Sequence, residues 1–277
     1  MNYGKLYICP TPIGNLEDIT LRTLRILQEV DIIACEDTRH SLRLLNHYEI
    51  KKPLTSYHEH NIREKGPELI QKLIDGNNIA IITDAGMPGI SDPGEDLIKL
   101  AIEENIDVIG LPGPTASITA LVVSGLNTGK FVFEGFLPSK KKDRVKALET
   151  LKDEKRTIIF YESPHRVMDS TLDMLEVLGN RKIAVCRELT KHYEEIFRGT
   201  FETALERFNQ GEIKGEFVII VEGCTKVEKI DVDIQEELIR HIENGLTKKE
   251  AVKKVAEEKS ISKNTIYAES LKLNKKE

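Results

Sequence analysis

Three runs of this chain set ionisable side chains just beyond apolar stretches, at spacings that suit proton transfer or anion binding. They are Cys35-Glu36-Asp37-Thr38-Arg39, Tyr161-Glu162-Ser163-Pro164-His165-Arg166 and Arg187-Glu188-Leu189-Thr190-Lys191. Carboxylates, guanidiniums, an imidazole and an ammonium of this kind move protons or hold negative charge. Three further runs carry turn chemistry instead. In Cys9-Pro10-Thr11-Pro12-Ile13-Gly14-Asn15, two prolines and a glycine fix a tight turn that lacks G-x-G-x-x-G spacing, so a dinucleotide cradle has no support. Thr83-Asp84-Ala85-Gly86-Met87-Pro88-Gly89-Ile90-Ser91-Asp92-Pro93-Gly94 holds three glycines and two prolines, which lets backbone approach a ligand closely. Leu111-Pro112-Gly113-Pro114-Thr115-Ala116-Ser117 ends a strand pattern in the same way and opens an apolar helix over 118–123.

His58-Glu59-His60 invites a metal reading, but its spacing is not H-E-x-x-H and no cysteine lies nearby. Exposed polar residues beside a helix cap at Asn61 explain it better, and no metal is expected. The four cysteines at 9, 35, 186 and 224 are too far apart for C-x-x-C chemistry and read as reduced residues, mostly core.

The elements that must position these groups follow from hydrophobic patterning. Leu6–Cys9, Ile32–Cys35, Ile79–Thr83 and Val108–Leu111 read as buried strands, separated by helical patterns at Leu21–Glu29, Asn61–Asp75 and Asp96–Glu104. Thr20 is the expected cap of the first helix. This alternation predicts a mainly parallel sheet covered on both faces, with a ligand beyond the carboxyl ends of its strands. The turn-rich loops fall at those ends. Phe131–Phe136, Thr157–Tyr161, Lys182–Cys186 and Glu216–Val221 are further strands, with helices at Lys140–Leu151 and Arg166–Leu178. Fewer helices per strand predict a mixed second sheet. Gly125, Asn127 and Gly129 mark the turn between the two. Polar Lys226–Asp233 precedes three helical patterns at Ile234–Glu243, Lys248–Lys259 and Asn264–Lys272, with Thr247 and Ser260-Ile261-Ser262 as caps. The expected division is 1–127, 128–225 and 232–277, the last a helix-turn-helix-like appendage.

Composition agrees with a globular chain: 277 residues, 40% apolar and 31% charged, with no apolar run long enough to span a bilayer. Met1–Lys5 lacks a basic segment leading into an apolar core, so a cytoplasmic location and no membrane partner are expected. A formal charge of −6 excludes a general polyanion trap but not local basic patches. Two such patches stand out. Lys140, Lys141, Lys142 and Arg144 form one, and residues 246–277, with nine lysines against five glutamates, form the other. Each divides evenly between a solvated charge run and an RNA contact.

Taken in order, Thr11–Asp18, Cys35–Arg39, Asp84–Pro88, Pro112–Pro114, Phe160–Arg166 and Arg187–Lys191 resemble the ribosomal RNA small subunit methyltransferase I family, within the tetrapyrrole-methylase (class III) superfamily. The resemblance covers nearly the whole chain. It implies two α/β domains of tetrapyrrole-methylase type with S-adenosylmethionine in the cleft between them, and a homodimer. It also implies an activity: 2′-O-methylation of a cytidine ribose in the decoding region of 16S rRNA, in the small ribosomal subunit. Carried onto this sequence, it assigns cofactor contacts to Pro10, Asp84, Ala85, Gly86, Pro88, Ser91, Asp92, Ser117, Ile118, Tyr161, Glu162 and Thr190.

A ribose hydroxyl is a poor nucleophile, so a base or positive charge should assist its deprotonation. Arg166, Arg187, Lys191 and Glu188 are the catalytic candidates, the arginines for phosphate positioning and Lys191 or Glu188 for the proton. Asp37, Arg39, His58, Glu59 and Glu162 remain open as alternatives. Two other classes compete: a methylase of a small tetrapyrrole polyacid, which has no need of a basic helical tail, and a non-catalytic RNA-binding module.

Overall fold

The computed structural model describes residues 3–225, 234–259 and 263–272, so Lys226–Asp233 and the cap at Ser260–Ser262 lie outside the described residues. The described chain divides into two compact units, 1–224 and 225–277.

In the first unit, strands β1 (Leu6–Ile8), β2 (Ile32–Cys35), β3 (Leu54–Ser56), β4 (Ile79–Ile82) and β5 (Val108–Gly110) form one sheet in the order β3-β2-β4-β1-β5. All its pairings are parallel. Helices α1 (Leu21–Glu29) and α2 (Thr38–His47) supply Ile26, Leu27 and Leu45 to one face, against Ile33, Cys35, Ala80 and Ile82. On the other, α3 (Ile62–Ile74) and α4 (Glu95–Glu103) supply Leu69, Leu73, Leu97 and Ala101, against Leu6, Ile8, Ala34, Ile79 and Ile81. Successive strand residues thus fall on opposite faces, and both faces are dry, which is why these strands read as continuous apolar runs. Thr20 caps α1 by accepting from the Thr23 amide. Asn61 precedes α3 but makes no capping bond; its carboxamide oxygen instead accepts from the His58 amide.

A second sheet, in the order β6-β7-β10-β8-β9, contains β6 (Phe131–Phe136), β7 (Thr157–Glu162), β8 (Lys182–Arg187), β9 (Glu195–Thr200) and β10 (Phe217–Val221). Only β6–β7 is parallel, and the remaining pairs are antiparallel. One face packs Ile158, Phe160, Ile183, Val185 and Ile219 under α6 (Lys141–Thr150), α7 (Val167–Leu178) and α8 (Phe201–Phe208). The other, with Ile159, Ala184, Cys186, Val218 and Ile220, receives Ala120 and Leu121 of α5 (Ala116–Ser124). Because α5 directly follows β5, it ties the loops of the first sheet to this face of the second. The short strand β3, helix α2 and the β9–α8 pair add to the elements expected from patterning.

The second unit contains α9 (Ile234–Glu243), α10 (Lys248–Glu258) and α11 (Lys263–Lys272), gathered around Leu238, Ala251, Val255 and Ile266. Thr247 starts α10 with a reciprocal capping box, its side chain taking the Glu250 amide while the Glu250 side chain takes the Thr247 amide. His241 bonds Glu258 at 3.1 Å, and Glu237 pairs with Arg240 at 2.5 Å and Lys259 at 3.3 Å, so the acids of this cluster already have cationic or imidazole partners. Among the described residues, no helix is long and apolar enough to cross a membrane.

Candidate active site

A cavity of about 390 Å³ lies between the carboxyl-end loops of the first sheet and the α5 side of the second, a size suited to a small-molecule ligand. The loops are held by main-chain pairing. Thr11 and Gly86 exchange both N–H···O bonds at 3.0 Å, and the Thr11 hydroxyl donates to the Thr83 carbonyl at 3.0 Å. Gly86 sits at φ +86°, a conformation that disfavours any side chain, and a Cβ there would meet Ile13 Cγ2 at 3.3 Å. Ser91 lies against the β6 bulge, where a Cβ on Gly135 would come within 3.3 Å of its hydroxyl.

The second wall is built of side chains. Tyr161 and Cys186 occupy the α5 face of β7 and β8, in phase with Ile159 and Ala184. The Ser117 amide donates to the Tyr161 hydroxyl at 3.2 Å, and Phe133 and Phe136 pack edge-on against the ring. The next residue of β7, Glu162, is almost wholly buried. Its carboxylate accepts from the Ser163 amide at 2.9 Å and the Ser170 hydroxyl at 2.5 Å, with Arg166 Nε at 3.5 Å.

Among the described residues, five non-glycine residues have positive φ. Glu49 and Asn105 end helices, whereas Ser91, Glu188 and Thr190 cluster at the cavity wall and the loop behind it, strain of a kind that concentrates at functional sites. The Thr190 hydroxyl and Asp84 Oδ1 are buried without hydrogen-bond partners, which is free bonding capacity at the margin of the cavity.

Of the expected cofactor contacts, Ala85, Gly86, Ser91, Asp92, Tyr161 and Glu162 line the cavity. Pro10 is buried, packed where a Cβ on Gly113 would fall, and Pro88 is buried too. Ser117 reaches the site through its amide, and Ile118 is 44% exposed on α5. Asp84 lines an adjoining hollow of about 610 Å³, which shares Ile13, Ala85 and Glu216 with the cavity. Asp92 is the ionisable side chain that the first sheet's loops give the cavity; burial, then Glu36 and Asp84, push its carboxyl up to about 7.

The catalytic candidates divide. Lys191 lines the adjoining hollow and bridges Glu188 and Glu216, each at 2.9 Å. A Cβ on Gly14 would meet its Cγ at 2.3 Å, so the glycine of the first loop makes room for this lysine. Burial disfavours the Lys191 ammonium, but Glu188 and Glu216 outweigh it and raise its pKa. Burial likewise works against the Glu188 carboxylate, yet Lys191, the Glu216 amide and Arg187 leave its pKa lowered. The pair is therefore held charged, and neither member is poised to take a proton.

Arg187 corrects an expectation. It is in phase with Val185, on the face opposite Cys186, and donates to the Lys214 carbonyl at 2.6 Å beside Glu195. Strand alternation turns it away from the cavity. Arg166 is likewise occupied, bonded to the Leu137 carbonyl and paired with Glu162. Asp37 and Arg39 pair with each other at the surface. Arg144, expected in an RNA clamp, is buried between α6 and α7 with Asp173 at 2.6 Å, and only its lysine neighbours face solvent. Burial lifts the Cys9 thiol to about 12 and the Cys186 thiol to about 11, so neither offers a thiolate.

The family model of Tetrapyrrole (Corrin/Porphyrin) Methylases matches residues 5–205, which take in the first sheet and the second sheet's strands up to β9. The chain belongs to the tetrapyrrole methylase family. It is a methyltransferase, an activity that requires a methyl donor. Other members are close in sequence. A Halalkalibacterium halodurans protein named ribosomal RNA small subunit methyltransferase I is 52% identical, covering 95% of this chain and 93% of its own. A Bacillus subtilis protein of the same name is 46% identical over 95% and 93%. A third, from Thermotoga maritima, is 47% identical over 79% of this chain and 99% of its own. Among solved structures, a cobalt precorrin-4 methyltransferase aligns with TM-score 0.58 at 19% identity, over 79% of this chain and 94% of that one. At that identity the likeness is one of fold.

The adjoining hollow also contains residues that sequence patterning did not single out, His40, Arg43 and His47 of α2. Their signal was a basic stripe at i, i+3 and i+7, legible once α2 is recognised as a helix.

Proposed function

We propose that this chain transfers the methyl group of S-adenosylmethionine to the ribose 2′-oxygen of a cytidine in the decoding region of 16S rRNA, within the small ribosomal subunit. The observation carrying this reading is 52% identity, over 95% of the chain, to a relative named ribosomal RNA small subunit methyltransferase I.

The residues present fit the cofactor. Ala85 and Gly86 offer close backbone approach, Ile13, Met87, Leu189 and Val218 form an apolar slot suited to a purine, and Asp92 offers a carboxylate to a cationic ligand. Thr190 and Asp84 have hydrogen-bonding atoms to spare. Pro10 backs the Gly113 turn and the Ser117 amide holds the Tyr161 hydroxyl. When bound, S-adenosylmethionine supplies an electrophilic methyl group that needs no metal. This chain's contribution is alignment and charge: the walls hold donor and acceptor in line, the acceptor hydroxyl gives its proton to solvent as it takes the methyl group, and the Lys191 ammonium favours the oxygen as it loses that proton. Glu188 acts by holding Lys191, and Arg166 by holding the Glu162 loop.

The functional unit is a homodimer in the cytoplasm. Ile118 and Val122, exposed on one face of α5, and Phe131 on the edge strand β6 provide apolar surface for a second copy. Sedimentation should show twice the chain mass.

Calorimetric titration with S-adenosylmethionine, then labelled-methyl transfer to 30S particles and to a free tetrapyrrole, tests the reading. Expected are saturable binding and label recovered as 2′-O-methylcytidine. Label in the tetrapyrrole and none in the particles would overturn it.

A further inference from the structure

The adjoining hollow shares Ile13, Ala85 and Glu216 with the cavity, so an acceptor placed there lies beside a donor held in the cavity. One of its walls is α2, whose sequence Thr38–His47 holds Arg39, His40, Arg43 and His47 and no acidic residue, in a chain of net charge −6. Spacings of three and four residues put His40, Arg43 and His47 on one face of that helix, and all three line the hollow.

These groups are exposed, and among the described residues none has a side-chain hydrogen bond or ion pair. The contrast with Arg144, Arg166 and Arg187 is direct, since each of those is tied to a carboxylate and a carbonyl. The helix itself is fixed at both ends. Asp37 caps it, accepting from the Arg39 amide at 2.8 Å, and the Tyr48 hydroxyl donates to the Leu16 carbonyl at 2.6 Å, pinning it to the first loop. A free guanidinium flanked by two imidazoles on one helix face, beside a methyl-transfer cavity, matches a phosphodiester backbone. The guanidinium takes phosphate oxygens as a fork, and the imidazoles add shorter-range donors.

We infer that this hollow receives the acceptor ribose and that His40, Arg43 and His47 hold the RNA phosphates flanking it. The inference rests on the RNA reading above and assigns its contact surface. Such contacts fix register on the RNA and carry no base information.

The test uses the full chain with 30S particles and S-adenosylmethionine. Arg43→Glu should raise the particle concentration needed for half-maximal methyl transfer by at least about tenfold, and His40→Ala/His47→Ala together should raise it by less. Arg43→Ala should lower the slope of log affinity against log salt by about one, and Arg43→Lys should restore most of it. Cofactor titration heats should stay at the parental value in every variant. Parental transfer and parental salt slope in Arg43→Glu and in the double variant would overturn the inference alone. Loss of cofactor binding in these variants would overturn it too, by making the effect one of fold. A parent that does not methylate 30S particles would instead bring down the functional reading on which it rests, and methylation of a free polycarboxylate would give the hollow to a small acid.

Discussion

The two walls of the cavity are built on opposite plans. The first-sheet wall is chain path: the Thr11–Gly86 pairing, glycines at positive φ, and small or apolar side chains, with Asp92 its one ionisable group. The second-sheet wall is side chains fixed to one another. Glu162 is held by Ser163, Ser170 and Arg166, Lys191 by Glu188 and Glu216, and Tyr161 by the Ser117 amide. A wall set by backbone has no slack for added volume, whereas a wall set by ion pairs is sensitive to which charges remain. The first should therefore respond to size and the second to charge.

The sharpest way to break this comparison is Ala85→Leu. Ala85 is exposed to both hollows, so four-carbon bulk there intrudes into ligand space without disturbing a buried contact. Binding of S-adenosylmethionine should weaken at least about 100-fold, roughly 2.7 kcal/mol, with the melting temperature little changed. Gly86→Val would answer less cleanly, because φ +86° and the Ile13 methyl 3.3 Å from its Cβ would strain the fold as well. Parental titration heats for Ala85→Leu would take this loop out of the site.

Next in size is the contrast between two cations four residues apart in the chain, Lys191 beside the cavity and Arg187 on the far face of its sheet. Lys191→Met should slow single-turnover methyl transfer by about tenfold, worth roughly 1.4 kcal/mol in the barrier, at saturating cofactor. Arg187→Ala should slow it less than about twofold, because that side chain bonds the Lys214 carbonyl on the far face of the sheet. Equal losses in both would mean that charge on this wall acts through fold stability rather than through position.

The same contrast sorts what the sequence made legible. The first wall announces itself, because glycine and proline at strand ends have few uses other than a shaped turn, and the Thr83–Gly94 loop lies where its composition puts it. The cores were legible too: Ile32–Cys35 and Phe131–Phe136 run to the residues that patterning predicts. The second wall was legible in membership and not in direction. Tyr161–Arg166 and Arg187–Lys191 do emerge at one end of one sheet, since β7 and β8 both run antiparallel to β10. Which of two neighbouring residues faces the cavity depends on which face α5 covers, and that is a long-range fact. Cys186 faces it and Arg187 does not. Arg144 misleads for the same reason: a lysine-rich run reads as solvated, but its fourth cation meets the buried Asp173 of α7. Strand β3 has three residues, too few for a period, and α2 is half exposed and basic, so neither stands out from patterning.

The smallest effect tests the one ionisable group on the first wall. Burial, then Glu36 and Asp84, hold the Asp92 carboxyl at about 7 against an ordinary value of 3.8. The folded chain therefore keeps a proton that the unfolded chain releases, and stability contributed by that proton is present below about 4 and lost as pH rises to about 7. Asp92→Asn removes the penalty, so the melting temperature at pH 8 should exceed the parent's by about 2–4 °C, close to 1 kcal/mol. The nominal shift would give more, but the carboxyl is only partly buried and water screens the repulsion. The two proteins should converge near pH 4. A cationic cofactor favours the ionised carboxylate, so its binding should release a proton between about pH 6 and 7 in the parent and none in Asp92→Asn. Titrations in two buffers of different ionisation enthalpy read that proton directly. Proton release unchanged in the variant would leave the first wall without an electrostatic role, and volume alone would then define it.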